Sequence, residues 1–265
     1  MTIITHIGEL VGIVPEGVPR KRGAGMDEVG SLRDAYLTIE SERISGFGNM
    51  SDCPAASPKD EVIDAKGGMV MPAFCDSHTH ICYAGTREQE FIDKINGLSY
   101  EEIAARGGGI LNSADLLHRT SKEELYSQTM ARVREMIAKG TGAIEIKSGY
   151  GLTLEDELKM LRVIRRVKSE SPATIKATFL GAHAVGRAFK GRQNEYVNLV
   201  CEEMIPAVAA EGLAEYVDVF CDEGFFTVDE TDRILSAGER YGLIPKIHAN
   251  ELACSGGVQV AVKHN

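Results

Sequence analysis

The apolar positions change rhythm near residue 61. Before it, Ile3 to Val14 is apolar-rich and Pro15 to Gly30 is a loop rich in proline, glycine and charge. Ala35 to Ile39 and Arg43 to Phe47 pattern as two short strands, followed by a loop over Ser51 to Pro58. So few strands carry too little apolar surface to stand alone, which predicts that they pack on something else. From Glu61 onward, apolar strands alternate with amphipathic helices. Strands are expected at Gly68 to Cys75, Gly142 to Lys147, Ile175 to Leu180, Tyr216 to Phe220 and Ile244 to His248. Ser99-Tyr-Glu-Glu102, Ser121-Lys-Glu-Glu124 and Thr227-Val-Asp-Glu230 fit the capping box, in which hydroxyl and carboxylate each satisfy an orphan N–H of the first helical turn. After Thr153, Leu154, Leu158, Leu161, Ile164 and Val167 form one apolar stripe, and Tyr126, Met130, Val133 and Ile137 form another. This alternation predicts an α/β fold with a parallel sheet, either open or closed into a barrel.

Composition narrows the function classes. The chain has 265 residues, 43% hydrophobic and 26% charged, enough apolar material for a substantial core. No run is long and apolar enough for a membrane span and no signal pattern opens the chain, so the expected location is the cytoplasm. A net charge of −10 leaves no basic patch for phosphates and argues against nucleic acid as a partner. The six cysteines, Cys53, Cys75, Cys82, Cys201, Cys221 and Cys254, form no C-x-x-C pair and are expected to be reduced thiols.

The chemistry-bearing residues decide between open sheet and barrel. Polar groups follow every predicted strand: Asp76-Ser-His78-Thr-His80, Lys147-Ser-Gly-Tyr150-Gly, Gly181-Ala-His183, Cys221-Asp222-Glu223 and His248-Ala-Asn-Glu251. A (β/α) barrel builds its site at the C-terminal ends of successive strands, whereas an open doubly wound sheet concentrates it at one switch point. The barrel is the better fit. His78 and His80, two apart on extended chain, face one side, and two neutral imidazoles converging there suit zinc or another first-row metal. A lone H-x-H would more simply be two unrelated loop residues; the strand before it changes that balance. Gly107-Gly-Gly109 does not fit the G-x-G-x-x-G nucleotide pattern.

Pro72-Ala-Phe-Cys-Asp-Ser-His-Thr-His80 resembles the first-strand signature of the amidohydrolase superfamily, whose members bind one or two metals in a (β/α)8 barrel. The segments around Arg87 and Glu90, Gly107 to Ile110, Glu145 to Gly151, Phe179 to Ala184 and Lys246 to Glu251 are similar, in order, to the imidazolonepropionase family. The resemblance implies a partial TIM-type barrel over 66–265 and part of a small β-sandwich over 1–65. It also implies one zinc or iron ion on His78, His80 and His248. Arg87 would hold the substrate's propionate through its bidentate fork, Tyr150 would supply a phenol hydrogen bond, and His183 would contact the ring. Glu251 would touch the substrate and help to place the attacking water, so Glu251 and His183 are the candidate catalytic residues. The plainer alternatives are a surface Arg87 paired with Glu88 or Glu90, a solvated Glu251 and core histidines. Lys147 is not expected to bridge two metals, because the bridging lysine of some amidohydrolases lies on the fourth barrel strand.

The implied reaction is hydrolysis of 4-imidazolone-5-propanoate to N-formimino-L-glutamate in histidine degradation, with a small-molecule substrate and homodimerisation compatible with it. A purine or pyrimidine base deaminase is the first alternative; its neutral substrate would give Arg87 no carboxylate. Five strand-plus-chemistry units are found where a closed barrel has eight. The chain is therefore expected to be a C-terminally truncated form, inactive by itself, with a non-catalytic remnant as the second alternative. His264 is expected not to be the family's sixth-strand histidine.

Overall fold

A computed structural model describes residues 1–18, 20–99, 102–103 and 108–264. It divides into two compact units, residues 1–73 and 74–265.

The first unit is a five-stranded sheet. Strand β1 (Thr2–Ile13) pairs antiparallel with β2 (Gly30–Glu40), which pairs antiparallel with β3 (Arg43–Asn49). On its other side β1 runs parallel to β4 (Glu61–Asp64) and then to β5 (Met69–Val70). Ile7, Leu10, Ala35 and Leu37 form its buried cluster. The ladder between β1 and β2 shifts register between Ile4 and Ile7, where His6 takes a positive φ of 49°. The expected strand Gly68–Cys75 is thus two strands. Met69 and Val70 complete the first sheet, Phe74 opens the second, and the units divide after Ala73 rather than after residue 65.

The second unit is a parallel sheet of β6 (Phe74–Asp76), β7 (Thr141–Lys147), β8 (Thr174–Ala182), β9 (Tyr216–Cys221) and a fifth strand in two pieces, β10 (Ile244–Pro245) and β11 (His248–Ala249). Both pieces pair with β9, Ile244 opposite Tyr216 and His248 opposite Phe220. The strands lie in the sheet in chain order, without the reversal that creates a switch point in an open doubly wound sheet. This is the order of a barrel, and the unit is a partial (β/α)8 barrel of five strand positions.

Helices α1 (Glu88–Ile95), α2 (Ile110–Arg119), α3 (Lys122–Ala138) and α4 (Leu154–Glu170) precede β7 or β8. Helix α5 (Gln193–Leu199) runs through a π-helical turn (Val200–Met204) into α6 (Ile205–Ala210). Pro206 follows that turn; it lacks an N–H and crowds the carbonyl four residues back, a reason for the ladder to loosen there. Helix α7 (Val228–Arg240) precedes β10, and α8 (Gly257–Lys263) follows β11.

Two of the three predicted capping boxes form both of their bonds, and the third, at Ser121, forms one. Thr227 and Glu230 make the full capping box. Ser99 and Glu102 bond reciprocally, and Ser121 Oγ accepts from the Glu124 N–H. In α4, Leu158, Leu161, Ile164 and Val167 are buried from the predicted stripe; Met160 and Val163 are buried too, so the stripe widens into a face covered by both sheet and neighbouring helices. Gly107 lies outside the described residues, while Gly109, at φ 81°, precedes α2 and donates its N–H to Glu90 Oε1. No helix among the described residues is long and apolar enough to cross a membrane.

Helix α7 lies so close to β9 that a Cβ on Gly238 would fall 2.4 Å from Val217 Cγ1 and 3.0 Å from Val217 Cβ. Gly238→Ala should therefore lower stability by ~1–3 kcal/mol through overpacking, against the usual helix preference for alanine. Thermal or urea unfolding checks this; a stabilised variant would mean that the helix can lift from β9 at little cost.

Candidate metal centre

The H-x-H segment is extended chain anchored along β7. Thr79 Oγ1 donates to the Glu145 carbonyl at 2.6 Å, and the Lys147 N–H donates to the Thr79 carbonyl at 3.1 Å. With Thr79 tied down, His78 and His80 project together, their Nε2 atoms 3.3 Å apart. His248, at the start of β11, brings its own Nε2 to 3.1 Å from that of His80.

These spacings test the fit to a metal. Three ligands at ~2.0–2.1 Å from a tetrahedral zinc lie about 3.3 Å from one another. The separations of His80 from His78 and from His248 match that value, all three ligand atoms lie within 4.8 Å of one another, and together they are the group able to hold an ion among the described residues.

Electrostatics favours neutral, ligating rings. Burial, then the neighbouring His183, His248 and His78, pushes the His80 pKa down to about 2. Burial also lowers His78. His183 is pushed down to about 4, mainly by burial, against the raising effect of its bond to Gly149. Neutral imidazole is the form that binds metal.

Beneath His248 lies a layer of buried charge. Asp218 Oδ2, on β9, stands 3.0 Å from His248 Nδ1 and accepts from Lys147 Nζ at 2.8 Å. Lys147 also donates to Glu145 Oε1 at 2.7 Å, and Lys246 donates to the same oxygen at 2.9 Å. Burial opposes the Asp218 charge, but His248 and Lys147 outweigh it and hold its pKa below the ordinary range. Lys147 is therefore an ammonium engaged by two carboxylates. A carboxylate behind a metal-binding histidine fixes ring orientation and tautomer.

Tyr150 and His183 belong to the same ring cluster. His183 stacks on His80 with centroids 5.1 Å apart, and Tyr150 lies 5.3 Å from His183. Phe220, the residue after next from Asp218 on β9, lies 5.8 Å from His248 and 6.0 Å from His183. Arg87 is close enough to His183 to affect its charge, and its Nε donates to Glu90 Oε2 at 2.8 Å. The surface pairing named among the alternatives is thus formed. Glu251 has an exposed side chain, and its N–H donates to Asp222 Oδ2 at 2.7 Å. His264 stands apart from the cluster, its ring between Asp232 and Glu239.

Reading the sequence did not single out Asp218, Glu145 or Lys246. The signal available was charge inside apolar strands: Glu145-Ile-Lys147 and Val217-Asp-Val219 put ionisable groups where burial is costly unless they are paired.

Comparison with known proteins follows the same lines. Residues 61–106 match the model of an amidohydrolase family. Over 263 residues the chain is 52% identical to an imidazolonepropionase from Flavobacterium psychrophilum, covering 99% of this chain and 64% of that protein. It is 39% identical to one from Alkaliphilus oremlandii, covering 98% of this chain and 62% of the relative. The chain is thus similar to members of the amidohydrolase superfamily. Among amidohydrolases it is similar to the imidazolonepropionases, and it spans less than two thirds of their length. In fold it is similar to a triazine hydrolase variant, with a TM-score of 0.67 at 14% identity over 99% of this chain and 57% of the other. It is also similar to the 5-methylcytosine deaminase of Klebsiella pneumoniae, with a TM-score of 0.63 at 14% identity over 99% and 55% of the two chains. Both likenesses concern the amidohydrolase fold.

Zinc titration of the metal-free protein should show one tight site, lost in His80→Ala. Asp218→Asn should weaken zinc binding by ~10–100-fold, measured by competition with a chelator, because His248 loses its orienting charge. Equal affinity in the Asn variant would make Asp218 a spectator.

The histidine shifts also set a pH dependence. His80 and His183 are neutral when folded but titrate near 6.5 when unfolded, so the unfolded chain binds more protons below that value. Metal-free stability should hold above pH ~6.5 and fall steadily as the pH drops through 6 and 5. Urea midpoints from pH 8 to 5 measure this; a flat profile would mean that the rings take up protons as readily in the fold as in the unfolded chain.

Proposed function

We propose that the protein hydrolyses the cyclic amide C–N bond of 4-imidazolone-5-propanoate, giving N-formimino-L-glutamate, with one zinc or iron ion on His78, His80 and His248. The observation that carries this reading is the meeting of three imidazoles at barrel-strand ends in a chain half identical to an imidazolonepropionase.

When bound, the ion supplies Lewis acidity, lowering the pKa of water and polarising a carbonyl oxygen. The water oxygen joins the ring carbonyl carbon, the ring C–N bond breaks, and the departing nitrogen takes a proton. Glu251, on the loop after β11, serves this proton traffic and helps to place the water. His183 and Tyr150 hold the ring. Arg87 takes the propionate, which replaces Glu90 on its guanidinium fork. That exchange gives Arg87 a preformed carboxylate-binding geometry and keeps it paired when no ligand is present. The free cysteines, spread over both units, suit the reducing cytoplasm, and a homodimer is compatible with the reading.

A base deaminase would use the same metal centre but offers no carboxylate to Arg87. The test is the metal-loaded protein, expressed from its complete reading frame and assayed for N-formimino-L-glutamate. Turnover is expected, and Arg87→Lys should raise KM by about tenfold or more, since charge remains but the bidentate geometry is lost. Conversion of a neutral base, with none of the imidazolone, would replace this function with the deaminase.

A further inference from the structure

Residues 148–152, which carry Tyr150 out of β7, are wrapped around one buried carboxylate. Glu157, in the first turns of α4, is fully buried. Its Oε1 accepts the N–H groups of Gly151 at 2.7 Å and Leu152 at 3.0 Å, and its Oε2 accepts that of Gly149 at 3.1 Å. The Ser148 side chain bonds to Glu157 as well, while its oxygen accepts the Leu180 N–H of β8 at 3.0 Å.

This turn is not one the backbone adopts freely. Leu152 has a φ of 54°, a left-handed value rare for a leucine, and Gly149 has a φ of 109°. A Cβ on Gly149 would fall 3.0 Å from His183 Nδ1 and 3.0 Å from the Leu180 carbonyl oxygen. Conformations of this kind persist only when their surroundings over-determine them, and a carboxylate collecting three N–H groups does so.

The turn directs its free carbonyl at a ligand-binding candidate. Gly149 O lies 2.9 Å from His183 Nδ1. A carbonyl only accepts, so Nδ1 carries the proton and Nε2 is the ring's open position.

We propose that Glu157 is a positioning residue: by gathering residues 148–152 it aims Gly149 O at His183 Nδ1, fixes that ring's tautomer and seats Tyr150 beside it. The proposal rests on the reading of His183 and Tyr150 as ligand contacts, but its test does not. Glu157→Gln keeps the shape but puts an NH2 donor among backbone donors, so at least one loop bond is lost. Long-range 1H–15N spectra of the metal-free protein report which nitrogen of His183 is protonated, and amide exchange reports the loop.

In the unaltered protein the proton should sit on Nδ1. In Glu157→Gln a second His183 form, protonated on Nε2, should appear, and exchange at Gly149, Gly151 and Leu152 should quicken by about tenfold or more. If the Gln variant does not fold by circular dichroism, Ser148→Ala, which removes one partner of Glu157, should produce the same changes to a smaller degree. An unaltered His183 protonated on Nε2 overturns the proposal. So does a folded variant with unchanged tautomer and exchange. Because no metal or substrate is added, failure to hydrolyse the imidazolone would sink the proposed function and leave these readouts standing.

Discussion

The site depends on how charge is neutralised inside the partial barrel. Each ion withdrawn from water costs several kcal/mol unless it is met by a partner of opposite sign and good geometry. Glu145, Lys147, Asp218 and Lys246 meet that condition together, two carboxylates and two ammonium groups drawn from β7, β9 and the link between β10 and β11. Because Asp218 touches both Lys147 and His248, neutralising the layer and orienting a metal-binding ring are one arrangement. The layer joins three strand positions by directional contacts, which apolar packing cannot do alone.

Above it, backbone order is maintained by carboxylates that collect N–H groups. Glu157 does so for residues 148–152, and Asp222 does so for the loop after β11, accepting from Glu251, Leu252 and Ala253. In both cases a loop that follows a barrel strand is fixed by its main chain rather than by the side chains it carries. Arg87 and Glu251 contrast with the histidines. One is paired with Glu90 and the other is exposed, while His183 and His248 are buried and His78 and His80 are held against them in one cluster of rings.

Local signals were legible in the sequence because they obey local rules. The capping residues at Ser121 and Thr227, the apolar stripe of α4 and the alternation of strand and helix all follow from neighbours a few positions apart. The convergence of His78 and His80 was equally legible, since residues two apart on extended chain share a face. Division of the predicted strand Gly68–Cys75 was not. Its two ends pair with different sheets, and pairing across sixty residues leaves no mark on the segment itself.

The sequence by itself determined the kinds of element, their order, the chemistry at each strand end and the resemblance to a family. Tertiary structure decided which of those groups meet. His248 reaches His80 across 168 positions only because β11 pairs with β9 in one register, and a slip of one residue would turn its ring to the other face. The same register puts Asp218 behind it. Charge type is written in the chain, whereas pairing of charges is a property of distance, and distance between strands exists only once the sheet has formed.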